Sequence, residues 1–232
     1  SYSYADIPNW AARLWRRDLI AGHWAPMSHP AQLARAVTEL VDHLGGAPAS
    51  RELARAEVGV ERAPFGDQLV SVTGAGSGIG RATGLAFAAH GAESVVSDSD
   101  ENAAAATAAE ITAGGGTAHA YRLDVADADA VQRFAEQVCA THGVPDVLVN
   151  NAGLALGLEP AHKANVEDWE TMIDTNNKGL IYMTRAVLPG MVERNRGHII
   201  NIGSTAGSWP YAGGNVYGAT KAFVQQFSLN LR

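Results

Sequence analysis

Tyr217 and Lys221 stand four residues apart, a spacing that puts both side chains on one face of a helix. A free phenol, with a pKa of about 10, is a poor base at neutral pH. A neighbouring cation favours its ionised form and so fits it for general acid-base work at an alcohol or carbonyl oxygen. Ser204 follows an apolar run upstream, where its hydroxyl is placed to orient that oxygen. Alone, a Tyr-x-x-x-Lys is common by chance and reads as ordinary packing. The rest of the chain has to supply its context.

Thr73-Gly74-Ala75-Gly76-Ser77-Gly78-Ile79-Gly80 supplies part of it. Glycines let backbone N–H groups approach a pyrophosphate, and the positive end of a following helix favours the same anion. A tight turn explains such a loop almost as well, but its place between an apolar run and a helical pattern favours phosphate. Asp98 ends the next apolar run, where a carboxylate accepts hydrogen bonds from ribose hydroxyls and repels a 2′-phosphate. No Arg or Lys stands at Ser77, Ser97 or Ser99 to receive that phosphate. These residues point to NAD, with NADP as the alternative. Asp98 has a second reading as a helix cap, a role for which Ser99 and Asp100 are equally suited.

The elements that must position these groups follow from pattern. Apolar runs at Leu69–Val72, Ser94–Ser97, His119–Leu123, Val147–Val149 and His198–Ile202 read as strands. Between them, helices are expected near 78–90, 101–113, 127–142 and 166–195, with a last helix from about Tyr211 onward. Strands alternating with helices, joined by right-handed crossovers, predict an α/β fold: a Rossmann-type doubly wound parallel sheet. Upstream, Leu33, Val37, Leu40, Val41 and Leu44 share one helical face, so residues 1–63 read as a short helical appendage and 64–232 as the nucleotide-binding domain.

Composition narrows the partners. A net charge of −7 over 232 residues, with no Lys/Arg-rich run, argues against nucleic acid. No apolar run approaches the roughly 18 to 20 residues of a membrane helix, and no signal-peptide layout opens the chain. One cysteine, Cys139, excludes an internal disulfide framework and fits a reducing, cytoplasmic setting, with its thiol expected to be buried.

Taken in order, these motifs resemble the short-chain dehydrogenase/reductase family. The match comprises Thr73 to Gly80, Asp124 after the third strand, Asn150-Asn151-Ala152-Gly153 after the fourth, and Ser204, Tyr217 and Lys221. The resemblance implies an NAD(P)-dependent oxidoreductase acting on a small-molecule alcohol/carbonyl pair. It implies a fourth catalytic residue, Asn176, holding a water that links Lys221 to solvent. It implies nucleotide contacts from Thr73, Gly74, Ser77, Gly78, Ile79, Gly80, Asp98, Asp124, Val125, Asn151, Ala152, Gly153, Tyr217 and Lys221, and no metal. A homodimer or homotetramer through helices 166–195 and 211–232 is implied as well.

Two subfamilies are visible. Residues from about 146 onward resemble bacterial NADP-dependent 3-hydroxy acid dehydrogenases. Residues 1 to about 145 resemble actinobacterial proteins in which an α/β-hydrolase precedes the dehydrogenase, with His23 of Leu19-Ile20-Ala21-Gly22-His23-Trp24 at the hydrolase histidine position. No Gly-x-Ser-x-Gly precedes His23, so a hydrolase reading lacks its nucleophile. Family members continue past the Tyr-x-x-x-Lys helix with two strands and a substrate-covering helix. The resemblance therefore implies a domain lacking its last strands, with His198–Ile202 at an open edge that invites association. Weak NAD binding and little turnover are expected on that basis, and a silent nucleotide-binding or assembly module is the rival reading.

Overall fold

The structure is a computed structural model and describes residues 65–231. The expected helix around 33–44, the boundary near 64 and His23 lie outside the described residues. Five strands, β1 (Leu69–Thr73), β2 (Glu93–Asp98), β3 (Thr117–Arg122), β4 (Val147–Asn150) and β5 (His198–Asn201), form one sheet in the order β3-β2-β1-β4-β5. All four pairings are parallel, as the alternating pattern predicts.

Helices α1 (Gly78–Ala89), α2 (Glu101–Ala113) and α3 (Ala128–His142) make the first three crossovers. Their starts are written in the sequence. Asp100 accepts from the amides of Asn102 and Ala103 to cap α2, and Asp127 accepts from Ala130 to cap α3. Successive strand residues point to opposite faces, so β1 serves two cores at once. Val70 and Val72 pack with Phe87, Ala88 and Ile111 of α1 and α2. Leu69 packs on the other face with Val131, Phe134 and Val138 of α3 and with Met183, Val187 and Met191. A sheet covered on both faces needs strands apolar throughout, and every residue of β1 and β4 is buried.

The single helix expected over 166–195 is instead α4 (Val166–Ile173), a π-helical turn over Asp174–Gly179, and α5 (Leu180–Glu193). Right-handed helical backbone runs through both junctions, so the axis continues while the hydrogen bonding loosens for six residues. The last helix, α6 (Asn215–Asn230), starts four residues later than expected. Gly213 has φ +79, a conformation that ends any helix at that point, and the Tyr211 ring lies against Gly214. Cys139 is half-buried rather than buried. Among the described residues no helix is long and apolar enough to cross a membrane.

Candidate active site

The carboxyl ends of β1 and β4 mark the place where the chain order reverses, the switch point at which open α/β sheets bind ligands. The glycine-rich loop leaves β1 there. Gly74 has φ +63, and a Cβ on it would come within 2.9 Å of the Ala152 Cα. A Cβ on Gly80 would overlap the Gly74 carbonyl, so the first turn of α1 seats directly on the loop. Ser77 precedes α1 in extended conformation with no side-chain cap bond, and it is exposed, as is Gly78. Ile79 is half-buried behind them.

Asp98 faces this loop. Its carboxylate accepts from the Gly76 amide at 2.9 Å and from the Asp100 amide at 3.0 Å. The cap of α2 is Asp100, so the capping reading of Asp98 falls away. Asp124 is exposed and accepts from the Ala126 amide, while neighbouring Val125 is buried against Gly179.

Asn151 joins β4 to the loop, its carboxamide donating to the carbonyls of Thr73 and Gly74 at 2.9 and 3.1 Å. The Thr73 hydroxyl accepts from the amides of Asn151 and Ala152 and donates to the Val149 carbonyl. It is buried and turned into the sheet rather than toward the loop's open side. Asn150, one residue earlier, donates to Thr184 and Asn201 and so ties β4 to α5 and β5.

Ser204 leaves the end of β5, and its Oγ accepts from the Ala206 amide at 3.2 Å. Tyr217 and Lys221 lie on α6 as expected, Tyr217 half-buried and Lys221 buried. Lys221 Nζ sits 5.9 Å from the centre of the Tyr217 ring and donates to the Ile202 carbonyl at 2.8 Å. Burial lowers the Lys221 ammonium from its usual 10.5 to about 8, so it remains mostly charged at neutral pH. The π turn brings Asn176 to the same spot. Its Oδ1 accepts from the Leu154 amide at 2.8 Å, and its Nδ2 donates to the Leu154 carbonyl and to Thr220 Oγ1. A Cβ on Gly153 would lie 3.1 Å from Asn176 Oδ1 and 3.6 Å from Lys221 Nζ, so these three residues surround one small space.

Two residues the motifs did not single out complete the frame. Thr220, buried, donates to the Tyr217 carbonyl while receiving Asn176, and Asn177 donates to the Thr220 carbonyl. Their signal in the sequence is only adjacency to Lys221 and to Asn176. A crevice lined by Leu156, Asp168, Trp169, Met172, Asn215 and Val216 adjoins the site between α4 and α6.

A parallel sheet of this order, with helices on both faces, defines a Rossmann-type α/β architecture. The sequence matches the short chain dehydrogenase family over residues 68–232, and the chain belongs to that family. It is 63% identical over 164 residues to the NADP-dependent 3-hydroxy acid dehydrogenase YdfG of Salmonella typhi, covering 71% of this chain and 65% of the relative. It is 49% identical over 236 residues to the probable oxidoreductase EphD of Mycobacterium tuberculosis, covering 100% of this chain and 39% of the relative. The chain thus spans less than two thirds of either relative. Among solved structures, the closed form of serine dehydrogenase complexed with NADP+ superposes with a TM-score of 0.67 at 59% identity, over 71% of this chain and 65% of that one. The two likenesses overlap along the chain. The first is longer than the stretch from 146 onward, and the second covers the whole chain.

Proposed function

We propose that this chain is an NAD(P)-dependent oxidoreductase that interconverts a small alcohol and its carbonyl, a 3-hydroxy acid being the substrate class its relatives favour. The observation that carries the reading is the meeting of Tyr217, Lys221, Asn176 and Gly153 beside the switch-point crevice. The cradle fits a dinucleotide. Side chains are missing where a pyrophosphate would approach, and the Asp98 carboxylate stands beside the loop where an adenosine ribose would lie. When bound, the nicotinamide accepts or returns the hydride.

The protein's own residues handle the proton. In the oxidising direction the Tyr217 oxygen takes the hydroxyl proton as the carbinol C–H leaves as hydride, and Ser204 orients the substrate oxygen. Lys221 stands beside the Tyr217 ring, and the Ile202 carbonyl keeps its ammonium in place. The space at Gly153 suits a water touching both Asn176 and Lys221, the relay the family implies. The Asn176 carboxamide itself is engaged by Leu154 and Thr220, so it also fixes α6 against the loop after β4.

Asp98 favours NAD by charge repulsion of a 2′-phosphate, although the 3-hydroxy acid and serine dehydrogenase relatives use NADP. The exposed Val166, Ile173 and Phe223 support self-association through α4 to α6, and the cytoplasm is the compartment that suits the free thiol. The test is titration of NAD and NADP followed by a turnover screen of 3-hydroxy acids and secondary alcohols. Weak nucleotide binding with low but measurable nicotinamide reduction is expected. Nucleotide binding with no turnover of any of them would overturn the enzymatic reading in favour of a silent binding module.

A further inference from the structure

At the other end of the sheet, three side chains meet that the chemistry at Tyr217 does not use. Glu93 opens β2, His119 lies on β3 and His142 closes α3. Glu93 and Asp98 are the two ends of one strand, about 17 Å apart at the usual rise per residue. Glu93 Oε1 is 2.8 Å from His119 Nε2 and 3.1 Å from His142 Nδ1. One ligating atom from each residue lies within 4.8 Å of the others. The imidazoles overlap, with centroids 4.0 Å and planes 31° apart. Behind them the Tyr121 hydroxyl is 2.8 Å from His142 Nε2.

Two imidazole nitrogens and a carboxylate oxygen converge on one point. A divalent cation satisfies all three groups together. Zinc bonds of about 2.0 to 2.2 Å in tetrahedral geometry place ligand atoms about 3.3 Å apart, a few tenths of an ångström beyond the two short separations found. The Tyr121 hydroxyl at His142 Nε2 can accept the Nε2 proton once Nδ1 takes a metal, the arrangement outer partners give to ligating histidines. The His142 side chain is nearly enclosed at 9% exposed, whereas His119 and Glu93 are 34% and 40% exposed. Solvent therefore supplies both an entry path and the remaining ligands.

We propose that Glu93, His119 and His142 bind one divalent transition cation of the zinc class, with Tyr121 as a positioning residue. The site clamps the end of α3 to β2 and the edge strand β3, and it stands apart from the hydride-transfer centre. The test uses the 232-residue chain after chelator treatment, titrated with Zn2+ by calorimetry and followed by thermal unfolding, with Mg2+ as the hard-cation control. One equivalent of Zn2+ should bind and raise Tm, with no response to Mg2+. His119→Gln and His142→Gln should weaken that binding at least tenfold, and Tyr121→Phe about 10- to 100-fold. Turnover of the metal-free variants should match the metal-free parent. Cobalt(II) added to the unaltered protein should show the absorption of a low-symmetry His/carboxylate site, a readout that does not depend on the variants folding. Absence of a stoichiometric Zn2+ site, or affinity unchanged in both histidine variants, would overturn the proposal.

Discussion

Tyr217→Phe removes one oxygen atom and leaves the frame of Thr220, Asn176 and Lys221 standing. Turnover should fall by roughly 10² to 10⁴ while nucleotide affinity stays near the parent value, read by paired kinetic and titration measurements. Asp98→Ala acts beside the glycine-rich loop. It removes the carboxylate next to Gly76 and should narrow the preference for NAD over NADP; equal affinities in the parent would instead remove Asp98 from cofactor choice. Lys221 makes a third test possible without substrate. Its folded pKa of about 8 lies below the usual 10.5, so between those values the unfolded chain binds the extra proton and stability rises with pH. The shift corresponds to about 3 kcal/mol in the nucleotide-free protein. Denaturant titrations from pH 7.5 to 10.5 should show that rise, and Lys221→Met should flatten it.

At the scale of elements, the π turn has the largest effect on the site. It places Asn176 and Asn177 against Thr220, so two side-chain hydrogen bonds tie α6 to the turn. Thr220→Val preserves shape but leaves Asn176 Nδ2 one acceptor short, at a cost of about 1 to 3 kcal/mol by urea unfolding. A variant as stable as the parent would show that the turn stands without this bond. This turn was not legible in the sequence, because Asp174-Thr175-Asn176-Asn177-Lys178-Gly179 is polar and carries no period to distinguish it from a helix. By contrast, the strands were legible within a residue or two, since β1, β2 and β4 are short and mostly buried and Asp100 and Asp127 mark the helix starts that follow β2 and β3. The glycine loop, Tyr217 and Lys221 were legible as local spacings. The Ile202 carbonyl under Lys221 was not, nor was the Glu93, His119 and His142 group, because each joins residues on separate elements.

For the whole molecule, the exposed apolar residues on α4 and α6 matter most. Ile173 and Phe223 are 40% and 38% exposed, and Phe223 stacks on Phe227. Replacing both Ile173 and Phe223 with Lys should convert an associated species to monomer by light scattering. An unchanged mass would move the interface elsewhere.

The register of β1 has a further consequence, for the order in which the chain comes to exist. Val70 pairs with Ser94 on one side but with Val147 on the other, so its second neighbour lies 77 residues downstream. At roughly 5 to 20 residues per second, a ribosome takes about 4 to 15 s to deliver that neighbour. Once β3 is complete at Arg122, β1, β2 and β3 can pair while one side of the central strand still has no mate. Synthesis that pauses before residue 147 should therefore prolong capture by chaperones that recognise apolar strands, and crosslinking on stalled ribosomes should show that capture ending as β4 emerges.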